Sequence, residues 1–268
     1  MRSVGRKAWL GVALALGGAA AAAVLLRPGP PRASVPGTPA LRTPELRQRV
    51  SDGHRTIGLA ADDSLVGLDE CSPEVRSLVA RALVSGRLET PDFSGLGGRP
   101  LSDASVGPDS RAFALSEPLG SVVESDTPRF RWQAVPGASR YEVAVFDEDL
   151  KPLVTSPALT TPEWTPDTPL ARGRIYVWQV TAQVRRTRIV APRPPALDAR
   201  FEVLGEEGVA ALAKARREGG SQLVLAAVLA RYGLLEAAGR ELTALRSANP
   251  DSLRLRELGT SLMPTDLE

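Results

Sequence analysis

The hydrophobic period changes twice along this chain, and that constrains the fold more than any other feature. Residues 8–26 carry no period at all, only an uncharged apolar run. Between Glu117 and Leu204 apolar side chains recur at every second residue, as in half-buried strands. After Gly205 they recur at helical spacing. One continuous core cannot be read from three patterns, so the chain divides into modules.

Ala8 to Leu26 comes after Arg2, Arg6 and Lys7. As a helix it would be about 28 Å long, close to a bilayer core of roughly 30 Å. Its basic N-terminal flank and its length favour a signal anchor, residues 1–26, with the N-terminus inside. The alternative is a cleaved signal peptide, for which Ala19-Ala20-Ala21 and Ala21-Ala22-Ala23 supply small-residue cleavage patterns. Either reading exports the remainder of the chain. Arg greatly outnumbers Lys, which occurs only at Lys7, Lys151 and Lys214; with much Ala, Gly and Pro this bias is expected of a GC-rich bacterial genome. The expected location is the bacterial inner membrane, single pass, with a C-terminal ectodomain in the periplasm or outside the cell.

The ectodomain reads as five segments. Residues 27–54 form a Pro-rich linker, stiff enough to act as a stalk. Residues 55–88 form a small ββα cassette. Thr56–Leu59 and Ser64–Leu68 are its strands around Ala61-Asp62-Asp63, and Ser72-Pro73-Glu74 starts a helix. Gly86 ends that helix, and the unit is too small to stand alone. Residues 89–115 form a Gly/Pro linker. Its Gly95-Leu96-Gly97-Gly98 runs into Arg99-Pro100 and lacks the Lys-Ser/Thr of a phosphate loop. Residues 116–204 form an all-β sandwich, with ladders on Phe130/Trp132/Ala134, Tyr141/Val143/Val145, Tyr176 to Val184 at alternate residues, and Phe201/Val203. Residues 205–264 form a helical region, with helices expected near Val209–Arg216, Ser221–Tyr232 and Leu235–Ala248 and a fourth from Asp251. The fold class is multidomain α+β.

The residues of the sandwich resemble a fibronectin type III domain. The resemblance rests on Pro128-Arg-Phe130-Arg-Trp132, Ala138-Ser-Arg-Tyr141-Glu-Val143, Trp164 and the run Leu170-x-x-Gly173-x-x-Tyr176-x-Trp178. It implies a core place for the second-strand Trp and a tyrosine corner in which Tyr176 locks the turn at Leu170–Gly173. No Arg-Gly-Asp loop accompanies it, so adhesion is not implied. Residues 219–252 resemble one tetratricopeptide repeat, with its small and apolar positions at Leu225, Ala226, Leu229, Gly233, Ala238, Leu242, Leu245 and Pro250. Such repeats bind peptides or helices, so a protein partner is expected on the C-terminal helices.

One Cys and one His bound the chemistry. Cys71 cannot form a disulfide within the chain, and no four-ligand Cys/His zinc site can be built. His54 falls in the polar stretch after the stalk, and Asp147-Glu148-Asp149 reads as an acidic turn rather than a calcium loop. The carboxylates Asp62, Asp63 and Glu70 are explained by a turn and a helix approach. No catalytic residue, metal or cofactor is assigned, and the chain is read as not an enzyme. The formal charge of +2 gives no polyanion signature, so no nucleic acid is expected. Arg185, Arg186 and Arg188 gather at a hairpin tip with Arg193 close behind, and are the possible partner-facing residues. The function expected is a membrane-anchored, non-catalytic interaction or scaffold module. The alternative is a carbohydrate- or cell-wall-binding secreted module after signal cleavage.

Overall fold

The computed structural model describes residues 46–97, 113–193, 199–217 and 220–262. The expected span at 8–26 and most of the stalk lie outside the described residues. Among the described residues no helix is long and apolar enough to cross a membrane. The fold is mixed α+β, with three sheets and five α-helices among these residues.

The chain enters on an antiparallel hairpin, β1 (Leu46–Asp52) and β2 (Arg55–Ala60), extended by the short β3 (Leu65–Val66). The stretch expected to close a linker at residue 54 therefore contains a strand. Val50 of β1 is wholly buried and faces the core with Ile57 and Leu59 of β2. Helix α1 (Pro73–Ser85) begins with Pro at its first position, where a missing N–H costs nothing, and ends on Gly86. Gly86 holds φ at 74° and returns its N–H to the Ala82 carbonyl, the left-handed cap foreseen for a glycine there.

A short 3-10 turn at Ser94–Leu96 leads toward the sandwich. Its smaller sheet runs β4 (Leu115–Glu117), β6 (Phe130–Trp132), β9 (Glu163–Trp164). The larger sheet runs β5 (Ser121–Val123), β12 (Ala199–Val203), β10 (Arg174–Val184), β7 (Ala138–Phe146), β8 (Pro152–Thr155). Strand β11 (Thr187–Ala191) pairs beside β10 as well. The alternation places Tyr141, Val143, Val145, Tyr176, Trp178 and Phe201 in one core with Phe130 and Trp132. Phe130 meets Trp178 edge-on at 5.0 Å and stacks on Trp164 at 5.5 Å. Such aromatic pairs add about 1 kcal/mol beyond the area they bury. Ala134, expected to extend the first ladder inward, is exposed because β6 stops at Trp132.

The remaining helices are α2 (Glu206–Arg217), α3 (Gln222–Arg231), α4 (Leu235–Ala248) and α5 (Leu253–Thr260). They do not form a separate module. Their core is continuous with that of the N-terminal cassette: Leu223, Leu229, Leu242, Leu245, Leu255 and Leu258 share one apolar cluster with Val50, Ile57, Leu59, Leu78 and Leu83. The cassette and the tail are thus one composite α/β module, and the sandwich is inserted between its two halves. Helix α3 is buried from Leu223 to Ala230 except at Leu225, flanked by α1, α2 and α4.

Polar ties close the composite module. Asp52, only 3% exposed, ends β1 with its carboxylate on the N-terminus of α3. It accepts from the Ser221 hydroxyl at 2.6 Å and from the backbone N–H groups of Gln222 and Leu223 at 3.0 and 3.1 Å. The helix dipole and three donors replace the water this carboxylate has lost. Ser221 in turn accepts from Val224 N–H, so the first turn of α3 is capped twice. Asn249, between α4 and α5, bonds both the N–H and the carbonyl of Ser51 at 2.7 Å, as a neighbouring strand would.

Candidate functional site

The hairpin tip between β10 and β11 is a two-residue turn of Arg185 and Arg186. Thr187 pairs with Val184, and Arg188 with Gln183. On the other side of β10 Gln183 pairs with Arg140 of β7. Arg140, Gln183 and Arg188 therefore form one row across three strands on the outer face of the sheet, with Arg185 and Arg186 beyond it. All four arginines are exposed. Arg188 reaches Glu142 at 3.8 Å; Arg140, Arg185 and Arg186 meet no carboxylate among the described residues. The Gln183 amide donates to the carbonyls of Arg185 at 2.8 Å and Thr187 at 3.2 Å, which fixes the turn. Arg185 holds φ at 53°, a conformation that costs an L-residue with a Cβ roughly 1 kcal/mol.

The structure thus brings Arg185, Arg186 and Arg188 together as expected from the sequence. Arg193 does not join them, because β11 carries it away from the turn to the strand's far end. Arg140 takes its place. No local signal identifies Arg140, since its proximity is made by strand pairing across more than 40 residues.

A second feature is a cleft of about 270 Å³ between the segment after α1, α2 and the end of α3, lined by Glu89, Thr90, Pro91, Glu207, Arg231 and Tyr232. Both Glu89 oxygens are engaged, one by Arg81 at 2.5 Å and the other by Arg231 at 3.0 Å. The Arg81 hydrogen bond, against some desolvation, holds the Glu89 carboxyl below the usual range. The Tyr232 hydroxyl bonds Glu207 at 3.1 Å and is pushed up by burial and then by that carboxylate. Both shifts move away from neutrality, opposite to what a general acid or base needs.

The other candidate carboxylates are dispersed. Asp62 accepts from the backbone and hydroxyl of Ser64, which hold it below its ordinary value. Asp63 pairs with Arg47 and Glu70 with Arg55. Asp147 spends one oxygen on the N–H groups of Asp149 and Lys151, so the acidic run is a turn device. Among the described residues no three His, Cys, Asp or Glu side chains are placed to hold a metal ion. His54 is exposed in the β1–β2 turn, and Cys71 is buried in the composite core.

No family model matches the chain, and the comparison with curated proteins finds no match either. Among solved structures, an Fn3-like protein from Clostridium thermocellum is 26% identical over 34% of this chain and 92% of its own, with a TM-score of 0.26. A Parabacteroides merdae β-glucuronidase is 12% identical over 35% of this chain and 13% of its own, with a TM-score of 0.22. At those scores neither likeness carries an argument about activity.

Proposed function

We propose that this chain is a non-catalytic scaffold of the bacterial envelope, anchored by residues 8–26 and presenting a fibronectin type III-like sandwich in a fixed orientation. The observation that carries the reading is the way the sandwich is seated. Both of its ends return to the composite module, and Val122 of β5 enters that module's core. Gly233, after α3, leaves the room: a Cβ there would lie 2.6 Å from the Val122 side chain, and its φ of 80° suits glycine. Arg216 of α2 makes two bonds to Glu124, at 2.5 and 2.8 Å. Arg172 of the sandwich pairs with Glu206 of α2 at 3.7 Å, and its bonds to the Glu124 carbonyl and to Asp126, at 2.9 Å each, hold it in place within the sandwich. A hydrophobic key and two arginine ties suit a module whose orientation matters.

The sandwich is read as fibronectin type III-like from its corner and its core. The Tyr176 hydroxyl donates to the Ala171 carbonyl at 2.8 Å, and Trp132 and Trp178 are buried. Sugar binding would want exposed rings, whereas Trp164 stacks on Phe130. In the tetratricopeptide-like reading of the tail, α3 is already covered by α1. A protein partner on the tail would therefore meet the exposed faces of α4 and α5.

The test is chemical crosslinking and co-purification of the full chain from membranes, after an alkaline carbonate wash. Retention through the wash together with a reproducible crosslinked partner is the expected result. Release of the full-length chain by the wash would overturn the anchor.

A further inference from the structure

We propose that the Arg140/Arg185/Arg186/Arg188 tip docks on the anionic headgroups of a lipid bilayer. The inference rests on the envelope reading above and names the surface that the sandwich meets.

Three observations converge. Charge is the first. Four arginines against Glu142 leave a net +3 on one row and one turn. Shape is the second. A two-residue turn at the end of a hairpin is convex, so it cannot enclose a small anion, but it can set several guanidinium groups on a flat array of phosphates. Retention at a cost is the third. Tight hairpin turns favour Gly, Asn or Asp where φ is positive. This chain places Arg185 there at φ 53° and holds the turn with Gln183 instead. Strain kept at an exposed, charged tip points to use of the charge.

The magnitude fits a tethered rather than a captured domain. Each arginine near an anionic surface is worth about five-fold in binding, and three net charges on the order of a hundred-fold. That is weak for recruitment from solution. It is sufficient to bias the lie of a domain already held at a membrane, where the effective concentration of headgroups is high. The apolar run at 8–26 makes a bilayer the anionic surface that this chain meets most often.

The test uses the full-length chain carrying Thr187→Cys, Thr187 being exposed beside the tip and Cys71 buried. The chain is incorporated in phosphatidylcholine vesicles, alone or with about 30 mol % phosphatidylglycerol, a strongly anionic surface. Flotation reports membrane association. The rate of modification of the new thiol by a neutral, bulky polyethylene-glycol maleimide reports the tip.

The expected result is flotation with both vesicles and modification slowed at least about ten-fold on the anionic ones, reversed by about 0.5 M salt. The protection should vanish when Arg140, Arg185, Arg186 and Arg188 are all replaced by Gln. Flotation with both vesicles but equal modification rates would overturn the docking proposal and leave the anchor standing. Flotation with anionic vesicles alone, lost in the four-Gln variant, would overturn the anchor and support docking. Flotation with neither would overturn both. Protection by inorganic phosphate or by polyglutamate in place of anionic vesicles would assign the tip to a free anion or an acidic protein, and overturn the lipid assignment.

Discussion

Among single residues, two hydrogen-bonding side chains do unequal work. Tyr176 closes its corner on a single carbonyl, Ala171, from a ring that is already packed in the sandwich core. Tyr176→Phe keeps the ring and orphans one acceptor, so it should cost about 1–2 kcal/mol in urea unfolding followed by tryptophan fluorescence. Asp52 serves three donors at a helix start while nearly excluded from water. Asp52→Ala removes a cap and strands those donors, and should cost about 2–4 kcal/mol. Hydrogen exchange should show the loss first at the amides of Gln222 and Leu223. An unchanged exchange rate there would mean that Ser221 alone sustains the cap.

At the level of strands and helices, pH should act on two neighbouring strands of the larger sheet with opposite sign. Glu124, at the end of β5, has its carboxyl depressed chiefly by the Arg216 hydrogen bond. A depressed folded value means stability that is present above the unfolded value, about 4.3 for glutamate, and lost as pH falls through the folded one. Glu202, on β12, is raised by burial and then by Glu148. A raised value means a cost that grows as pH rises from the unfolded value through the folded one. Glu124→Gln should therefore lower the midpoint of unfolding at pH 7 and have little effect near pH 3. Glu202→Gln should raise it at pH 7 and also have little effect near pH 3. The Glu124 effect should shrink in salt, since that pair is partly open to solvent. Thermal unfolding across that range checks both signs.

For the molecule entire, the insertion changes what a truncation means. Ending the chain at Leu204 deletes α2 to α5, and with them half of the core that covers Val50, Ile57, Leu59 and α1. The cassette should then lose its amide protection, whereas the sandwich keeps its own core and its buried Trp178. Limited proteolysis of that truncated chain should degrade residues 46–88 and leave a resistant fragment spanning about 113–203. Survival of the cassette would contradict the composite core. A partner lost on such a truncation would thus not be assigned to the helices, and substitutions on exposed faces are the cleaner probe.

Much of this architecture is legible in consecutive residues, and the reason lies in range. Alternation along β7 and β10 and helical spacing in α4 are local patterns, so the ladders, the helices, the Gly86 cap and the two-arginine turn can be read along the chain. Leu46–Asp52 is less legible: the stretch before it is rich in proline, and its partner strand is what makes it a strand. Asp52 reads as a linker acid until α3, about 170 residues later, is brought to it. Arg140 reads as a solvated strand residue until β10 sets it beside Arg188. Above all, an apolar face in the cassette and an apolar face in the tail each announce that something must cover them, but not what. Side-chain spacing within one segment is enough to set the elements and the faces they bury. Which apolar faces exclude water together is a property of the packed molecule, and it is packing that closes the cassette on the tail around an inserted sandwich.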